Sequence, residues 1–369
     1  MDSWYLHHPL ISMSQLIKHG VGDSDWKKIF FKSVDFSIKV AKRFKYEWPI
    51  FYNIDTLDIL KKEAKPGEGG EKDVPGMYAY LMLRAYEHSK QKKYLNEAIR
   101  AVRKFDSYDH NVLYQTNNTC FAAEALLELW TLTKNEKYIA LSILLLSHIL
   151  RNTSLWERTY GNSKEYQSFF ALYPLKDAPY SAVFEEHECL TSIHRYLKMA
   201  YLHQAPLSQE IQALLPEYVK YACQRIPFYY PPLLPSDIIA EEVKTGYLDT
   251  QLWMPVEDLG DGWEPIGQVG QEVYGAGALF NLVMLHIYEL QENVASVFIE
   301  YPTIKVARQK RSISFLLTGL PAYTCQISLI HTGTNEFKVE INGNKSSAKL
   351  SSKHKTLKVN GGDRISISW

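Results

Sequence analysis

The sequence has no surplus of either charge: 41 Lys and Arg stand against 41 Asp and Glu, a formal net of 0. Without a basic field, nothing draws the chain as a whole to nucleic acid or to an anionic membrane, so no nucleic-acid partner is expected. Apolar runs stop well short of the roughly 20 residues a membrane span requires, so no span is expected either. Cysteine is scarce, with 4 in all (Cys120, Cys189, Cys223 and Cys325) and no CxxC pair. Neither a disulfide framework nor a zinc knuckle is indicated, and buried free thiols are expected. The N-terminal stretch carries Asp2, Lys18, Asp23, Asp25, Lys27 and Lys28 without a continuous apolar segment, so no signal peptide is expected. Compartment and oligomeric state stay open.

Several chemical signatures are missing as well. There is no G-x-x-x-x-G-K-[ST], no G-x-G-x-x-G after a strand, no G-x-S-x-G elbow and no Asp-Asp pair of the kind an acidic metal-binding run needs. His187 and His194 are 194 − 187 = 7 positions apart, not the i, i+4 spacing of a helical zinc pair. Neither a metal nor a cofactor is expected.

What the chain does have is length and aromatic surface. Its 369 residues exceed one ordinary core of about 100–200 residues, which argues for a large domain and a small one. Tyr (25) outnumbers Phe (15) and Trp (8), and a ring with a polar tip suits partly wet surfaces as well as cores. Residues 72–226 read as paired helices. Met77–Tyr86 forms one helix and Lys92–Phe105 its partner; Asn118 and Thr119 cap a run through Trp130, and Asn135 leads into another partner. Lys93-Tyr94-Leu95 recurs as Lys137-Tyr138-Ile139, 137 − 93 = 44 residues later, a period typical of stacked helix pairs. Further helices are expected at Ser12–His19, Asp25–Lys45, Pro179–Tyr201, Pro206–Arg225 and Gln271–Glu292, with long loops near 46–75, 153–178 and 227–270.

After Val297 the pattern turns to β-branched and aromatic runs, at Ser296–Tyr301, Ser312–Leu317, Thr324–His331, Phe337–Ile341 and Arg364–Trp369. Asn342-Gly343-Asn344 and Asn360-Gly361-Gly362-Asp363 read as hairpin turns. The expected division is therefore a helical domain over 1–296 and an antiparallel β-domain over 297–369.

Helix pairs of this period, with small residues in the first helix, a Lys-Tyr-Leu phrase opening the second and a β-domain after them, resemble the (α/α) toroid carbohydrate-active enzymes. These include glycoside hydrolases, polysaccharide lyases and sugar epimerases. The resemblance is architectural and assigns no single family. It implies a mainly α fold, an (α/α) toroid of helical hairpins followed by a small C-terminal antiparallel β-domain. It also implies a cleft at one end of the inner helices and an oligo- or polysaccharide partner.

Polar helix starts gather where such a cleft would lie: Glu68, Glu71 and Asp73 before Tyr78; Tyr114, Gln115, Asn117 and Asn118; Tyr180; and Gln268, Gln271 and Glu272 before Tyr274. If Tyr78, Asn117, Tyr180 and Tyr274 all begin inner helices, they share one rim. Otherwise each polar start is only a cap. Trp4, Tyr5, His7, His8, Trp48, Tyr52, Trp156, Tyr160, Tyr229, Tyr230, Trp253 and Trp263 add rings for stacking on sugars. The sharpest cluster is Glu185-Glu186-His187-Glu188, where Glu186 precedes Leu190, Ile193 and Leu197 on one helical stripe. Burial there would raise a carboxyl pKa toward general-acid use. Glu257, Asp258 and Glu272 are candidates for the opposing carboxylate of glycoside hydrolysis. Two alternatives stand beside hydrolysis. One is a lyase or uronate epimerase using Tyr114, Asn117, Asn118 and His187; the other is a non-catalytic scaffold or glycan-binding protein.

Overall fold

Two stretches, 74–85 and 116–127, are buried on every side rather than along one stripe, which marks helices enclosed by other helices. They belong to the first of two units in the computed structural model, which describes residues 1–108, 111–156, 169–173, 175, 183–225, 283–331, 336–344 and 349–369. This unit, Met1–Asn152, contains α1 (Ser3–Lys18), α2 (Ser24–Arg43), α3 (Val74–Ser89), α4 (Lys92–Val102), α5 (Thr116–Thr133) and α6 (Glu136–Arg151). A short hairpin, β1 (Phe51–Tyr52) and β2 (Ile59–Lys61), lies between α2 and α3.

The helices pair as α1–α2, α3–α4 and α5–α6, and α3 packs against both α1 and α5. The second members are amphipathic. Helix α4 buries Tyr94, Glu97, Ala98, Ala101 and Val102, and α6 buries Ile139, Ser142, Leu145, Leu146 and Ile149, the i, i+3, i+4 stripe of an outer layer. The 44-residue offset reappears in the caps. Lys90 and Lys134 both adopt left-handed conformations, at φ 58° and 59°, and their N–H groups close α3 and α5 on the carbonyls of Tyr86 and Trp130.

The first members run side by side in one direction. Near their starts, Asp73 of the α3 entry meets Thr119 of α5; further along, Arg84 pairs with Glu128. Helix α1 follows the same course, with His8 donating to Asn118 Oδ1 at 2.8 Å and the Ser14 carbonyl accepting from His88 Nε2 at 3.1 Å. Tyr78 and Asn117 thus lie near the same end of this unit. Tyr180 and Tyr274, the other two proposed rim residues, lie outside the described residues.

Where α3 crosses α5, an added Cβ on Gly76 would lie 2.2 Å from Ala122 Cβ and 2.8 Å from its Cα. Gly76→Ala is therefore expected to destabilise this unit by about 1–3 kcal/mol through overpacking. The roughly 1 kcal/mol that Ala gains over Gly in helix propensity does not compensate. Chemical denaturation checks this, with Gly76→Ala/Ala122→Gly expected to recover only part of the loss, since the added Cβ would still lie 2.8 Å from the Cα of residue 122. A single variant as stable as the parent would show that the crossing yields instead.

The second unit is Thr153–Trp369. It holds the hairpin β3 (Thr153–Trp156) with β4 (Phe169–Leu172), helices α7 (Val183–His203) and α8 (Gln209–Arg225), and strands from Ile287 onward. The strands are β5 (Ile287–Gln291), β6 (Ala295–Ile299), β7 (Thr303–Gln309), β8 (Ser312–Leu317), β9 (Thr324–His331), β10 (Phe337–Ile341), β11 (Lys349–Leu350), β12 (Thr356–Asn360) and β13 (Arg364–Ser368). They form two antiparallel sheets, ordered β11-β10-β13-β8-β7 and β12-β9-β6-β5. One buried cluster draws Leu290, Val297 and Ile327 from the second sheet together with Phe315, Leu317 and Ile367 from the first.

The β region docks on its own unit's helices. Tyr201 of α7 accepts from Gly319 N at 2.8 Å, Lys220 of α8 donates to Thr324 O at 3.1 Å, and Tyr301 donates to Glu217. His286 joins α8 to β6, accepting from Cys223 Sγ at 3.4 Å and donating to Ile299 O at 2.7 Å. All four cysteines are free and buried, as expected.

The structure corrects several readings. Helix α5 starts at Thr116, so Asn118 and Thr119 are inside it rather than capping it; an acceptor from another hairpin, described below, makes the earlier start possible. The expected helix Gln271–Glu292 is helical over 283–286 but becomes strand β5 at Ile287, because pairing with β6 buries Leu290 in the β cluster. Asn360-Gly361-Gly362-Asp363 is not a hairpin turn, since β12 and β13 belong to different sheets. Gly361 there passes so close to the Gly319–Leu320 backbone that a Cβ would sit 2.6 Å from it. Finally, β7 and β12 escape the β-run pattern because charged and polar residues interrupt them; β7, at a sheet edge, is exposed from Lys305 to Gln309, as suits a protected edge.

Candidate active site in the N-terminal unit

The residues that converge are those at the entries to α3 and α5. Asp73 occupies the N-cap position of α3 yet makes no side-chain bond to that helix. Its Oδ2 instead accepts from Tyr114 N (3.0 Å), Gln115 N (2.8 Å) and Thr119 Oγ1 (2.8 Å), satisfying donors at the start of α5. Burial pushes the Asp73 carboxyl up to about 6, even against these three donors.

Two residues earlier, Glu71 is 4% exposed. Its N–H donates to Trp48 O at 3.0 Å, and Gly70 beside it lies so close that a Cβ would stand 1.9 Å from the same oxygen. The backbone is thereby fixed against the Trp48 segment. Burial raises the Glu71 carboxyl well above the usual range, opposed by Ser3 and reinforced by the charges of Asp73 and Asp2. Oε2 of Glu71 and Nε1 of Trp48 are buried with no hydrogen-bond partner among the described residues.

Glu71 and Trp48 border a cavity of about 450 Å³ whose wall also includes Glu63 and Tyr108. Glu63 Oε2 accepts from Gly67 N (3.0 Å) and Gly69 N (3.1 Å), so this carboxylate is oriented by the glycine-rich loop that leads to Glu71. Glu71, whose carboxyl burial raises well above the usual range, and Glu63, whose carboxylate accepts from backbone donors, both border this hollow, an unequal pair of the kind acid–base chemistry uses.

The sequence-derived candidates are distributed as follows. Tyr114 and Gln115 are half-buried at the start of α5, and burial first, then Glu71 and Asp73, raise the Tyr114 phenol to about 12. Asn118 bridges His8 and Gln115, its Nδ2 donating to Gln115 Oε1 at 3.3 Å. Asn117 and Tyr78 are fully buried, and the Tyr78 hydroxyl donates to Glu97 Oε2 at 3.3 Å within the helix layers. In the second unit, α7 carries Glu185, half-buried, and Glu186, His187 and Glu188, all buried. The Glu186 carbonyl accepts from Tyr218 OH at 3.4 Å, and burial lowers His187 to about 3, which keeps its imidazole neutral. Glu257, Asp258, Glu272, Tyr180, Trp253, Trp263 and Tyr274 lie outside the described residues. Sequence reasoning noticed Glu71 and Asp73 only as polar helix starts and passed over Glu63. The local signal was the segment Glu63 to Glu71, where Gly67, Gly69 and Gly70 stand between two carboxylates.

No family model matches the chain, and no curated protein matches it in sequence. Among solved structures it is similar to an inactive variant of the α-1,6-mannanase of Salegentibacter sp. HEL1_6 in complex with α-1,6-mannotetrose. That match has 13% identity and a TM-score of 0.44, covering 75% of this chain and 73% of that one. A family 76 glycoside hydrolase from a bovine Bacteroides thetaiotaomicron strain gives 12% identity and a TM-score of 0.43, over 74% of this chain and 55% of that one. A family 127 β-arabinofuranosidase gives 11% and 0.39, over 98% and 59%. These neighbours are glycoside hydrolases. Likeness this distant leaves the activity to be argued from the chain's own residues.

Proposed function

We propose that the chain is a glycoside hydrolase acting on an oligo- or polysaccharide, with Glu71 as the general acid and Glu63 as the facing carboxylate. The observation that carries this reading is that buried Glu71, its carboxyl raised well above the ordinary pKa, is among the residues bordering a 450 Å³ cavity. In glycoside hydrolysis one carboxyl must be protonated to assist the leaving oxygen while the other is a base or nucleophile. The three inner–outer helix pairs of the first unit suit an (α/α) toroid, whose closure is part of the proposal. Glu186, flanked by Glu185 and Glu188, is the competing acid.

The test is reducing-end release from a panel of neutral and acidic oligosaccharides, followed by a pH–rate profile on whichever is cleaved. A general acid works only while protonated, so turnover should fall as pH rises through the raised Glu71 pKa. The alkaline limb should therefore lie above the roughly 4.3 of an unperturbed Glu. Failure to cleave any member of the panel, or an alkaline limb near the unperturbed value, would count against Glu71 as the acid.

A further inference from the structure

The cavity beside Glu71 has a second chemical character. Arg43, Lys45, Lys62 and Lys72 line it together with Glu47, Glu63 and Glu71. The carboxyl charges are largely spoken for. Burial disfavours the charged form of Glu71, Glu47 pairs with Lys104 at 2.7 Å, and Glu63 accepts from two backbone amides. Among the described residues, no carboxylate pairs with Arg43, Lys45 or Lys62. The hollow therefore carries a net positive lining although the chain as a whole has a formal net charge of 0.

The backbone holds this arrangement at some cost. Lys45 and Tyr46 leave α2 in successive left-handed conformations, at φ 54° and 61°, which non-glycine residues adopt rarely. The turn is fastened from inside, by Tyr46 OH donating to buried Glu97 Oε2 at 2.8 Å and by Tyr46 N on Ala41 O at 2.8 Å. Its effect is to reverse the chain so that Arg43 and Lys45, at the end of α2, border the same hollow as Trp48 and Glu71.

We propose that the cavity recognises an acidic saccharide, with Arg43, Lys45 and Lys62 binding a sugar carboxylate or sulfate while the adjoining ring lies toward Glu71. The proposal rests on the hydrolase reading for what happens at Glu71, but the anion site itself does not require turnover. Cations placed in a partly enclosed hollow attract such a group more strongly than the same side chains on open surface, because field lines are concentrated there.

The experiment is calorimetric titration of the full chain with three probes: tetragalacturonate, its fully methyl-esterified form, and a sulfated tetrasaccharide without uronate. At least one acidic probe should bind about 10-fold or more tightly than the ester, and that difference should shrink as salt is raised. The variant Arg43→Gln/Lys45→Gln/Lys62→Gln should weaken that probe by about 10-fold while leaving the ester and the thermal midpoint unchanged. Preference for the uronate identifies a carboxylate site, and preference for the sulfated probe identifies a sulfate site; either supports the proposal. Equal binding of ester and acid, no binding of either acidic probe, or an unaffected triple variant overturns it. Binding of an acidic probe without cleavage of any sugar would sink the hydrolase reading alone, whereas cleavage of uncharged sugars with equal affinity for acid and ester would sink the anion site alone.

Discussion

Glu71→Gln is expected to lower kcat by about 10²–10⁴-fold on whichever saccharide the protein cleaves, the scale of general acid catalysis, with the thermal midpoint nearly unchanged. Both halves follow from the environment. Burial raises the Glu71 carboxyl well above its usual range and so favours the neutral form, which a neutral amide of the same shape imitates without burying a new charge. The backbone bond from Glu71 N to Trp48 O does not involve the side chain and is retained. What is lost is the transferable proton. Glu186→Gln, assayed in parallel, discriminates between the two candidate acids. If turnover survives Glu71→Gln within roughly twofold and collapses in Glu186→Gln, the acid lies on α7 and the assignment to Glu71 is wrong.

The second large effect concerns stability. Arg84, 5% exposed at the middle of α3, pairs with Glu87 and Glu128 and lies 5.0 Å from the ring centre of Tyr80. Burial opposes its charge, but Glu128, Tyr80 and Glu87 outweigh that penalty, and fully buried Glu124 adds to the attraction. Arg84→Met keeps most of the volume and takes the cation from Glu128, while Glu87 retains its pair with Lys18, so the expected loss is about 3 kcal/mol, the lower end of the cost of breaking one side of a buried pair. Arg84→Met/Glu128→Leu should recover part of it, because the apolar pair removes the charge stranded at Glu128 while Glu124 stays beside it. Equilibrium denaturation measures both. A single variant within about 1 kcal/mol of the parent, the range of exposed ion pairs, would mean that water reaches the site and screens it.

How much of this was legible depends on whether the cause lay near in sequence. The helix pairs were, because the period that spaces Tyr94 and Tyr138 also sets the caps at Lys90 and Lys134. The strands at Ser312–Leu317 and Thr324–His331 were too, since alternating burial leaves its mark in the residues themselves. Helix α1 begins at Ser3, well before the stretch expected from 12 to 19, with Pro9 accommodated inside it; a proline is a local signal to stop that the packing of His7, His8 and Leu10 overrides. The candidate site was less legible for the same reason. Asp73 matters through partners 41 to 46 positions away, and Arg43 and Lys45 come to border the same hollow as Glu71 beside a left-handed turn that no periodicity announces.

That displaced carboxylate bears on how the hairpins assemble. In a stack of repeats each unit is stabilised by its own contacts and by the seam with its neighbour, and the balance decides whether units open singly or together. Here Asp73, which enters α3, accepts from the two backbone N–H groups that lead into α5 and from the Thr119 hydroxyl in its first turn, so the start of α5 is held in part by the preceding hairpin. Fraying of α3 removes the cap from α5 in the same event, and loss of α5 leaves a carboxyl at Asp73 that is buried without its three donors. The seam between the two hairpins is therefore expected to couple them: if they open as one unit, amide protection measured along α3 and α5 should rise and fall together.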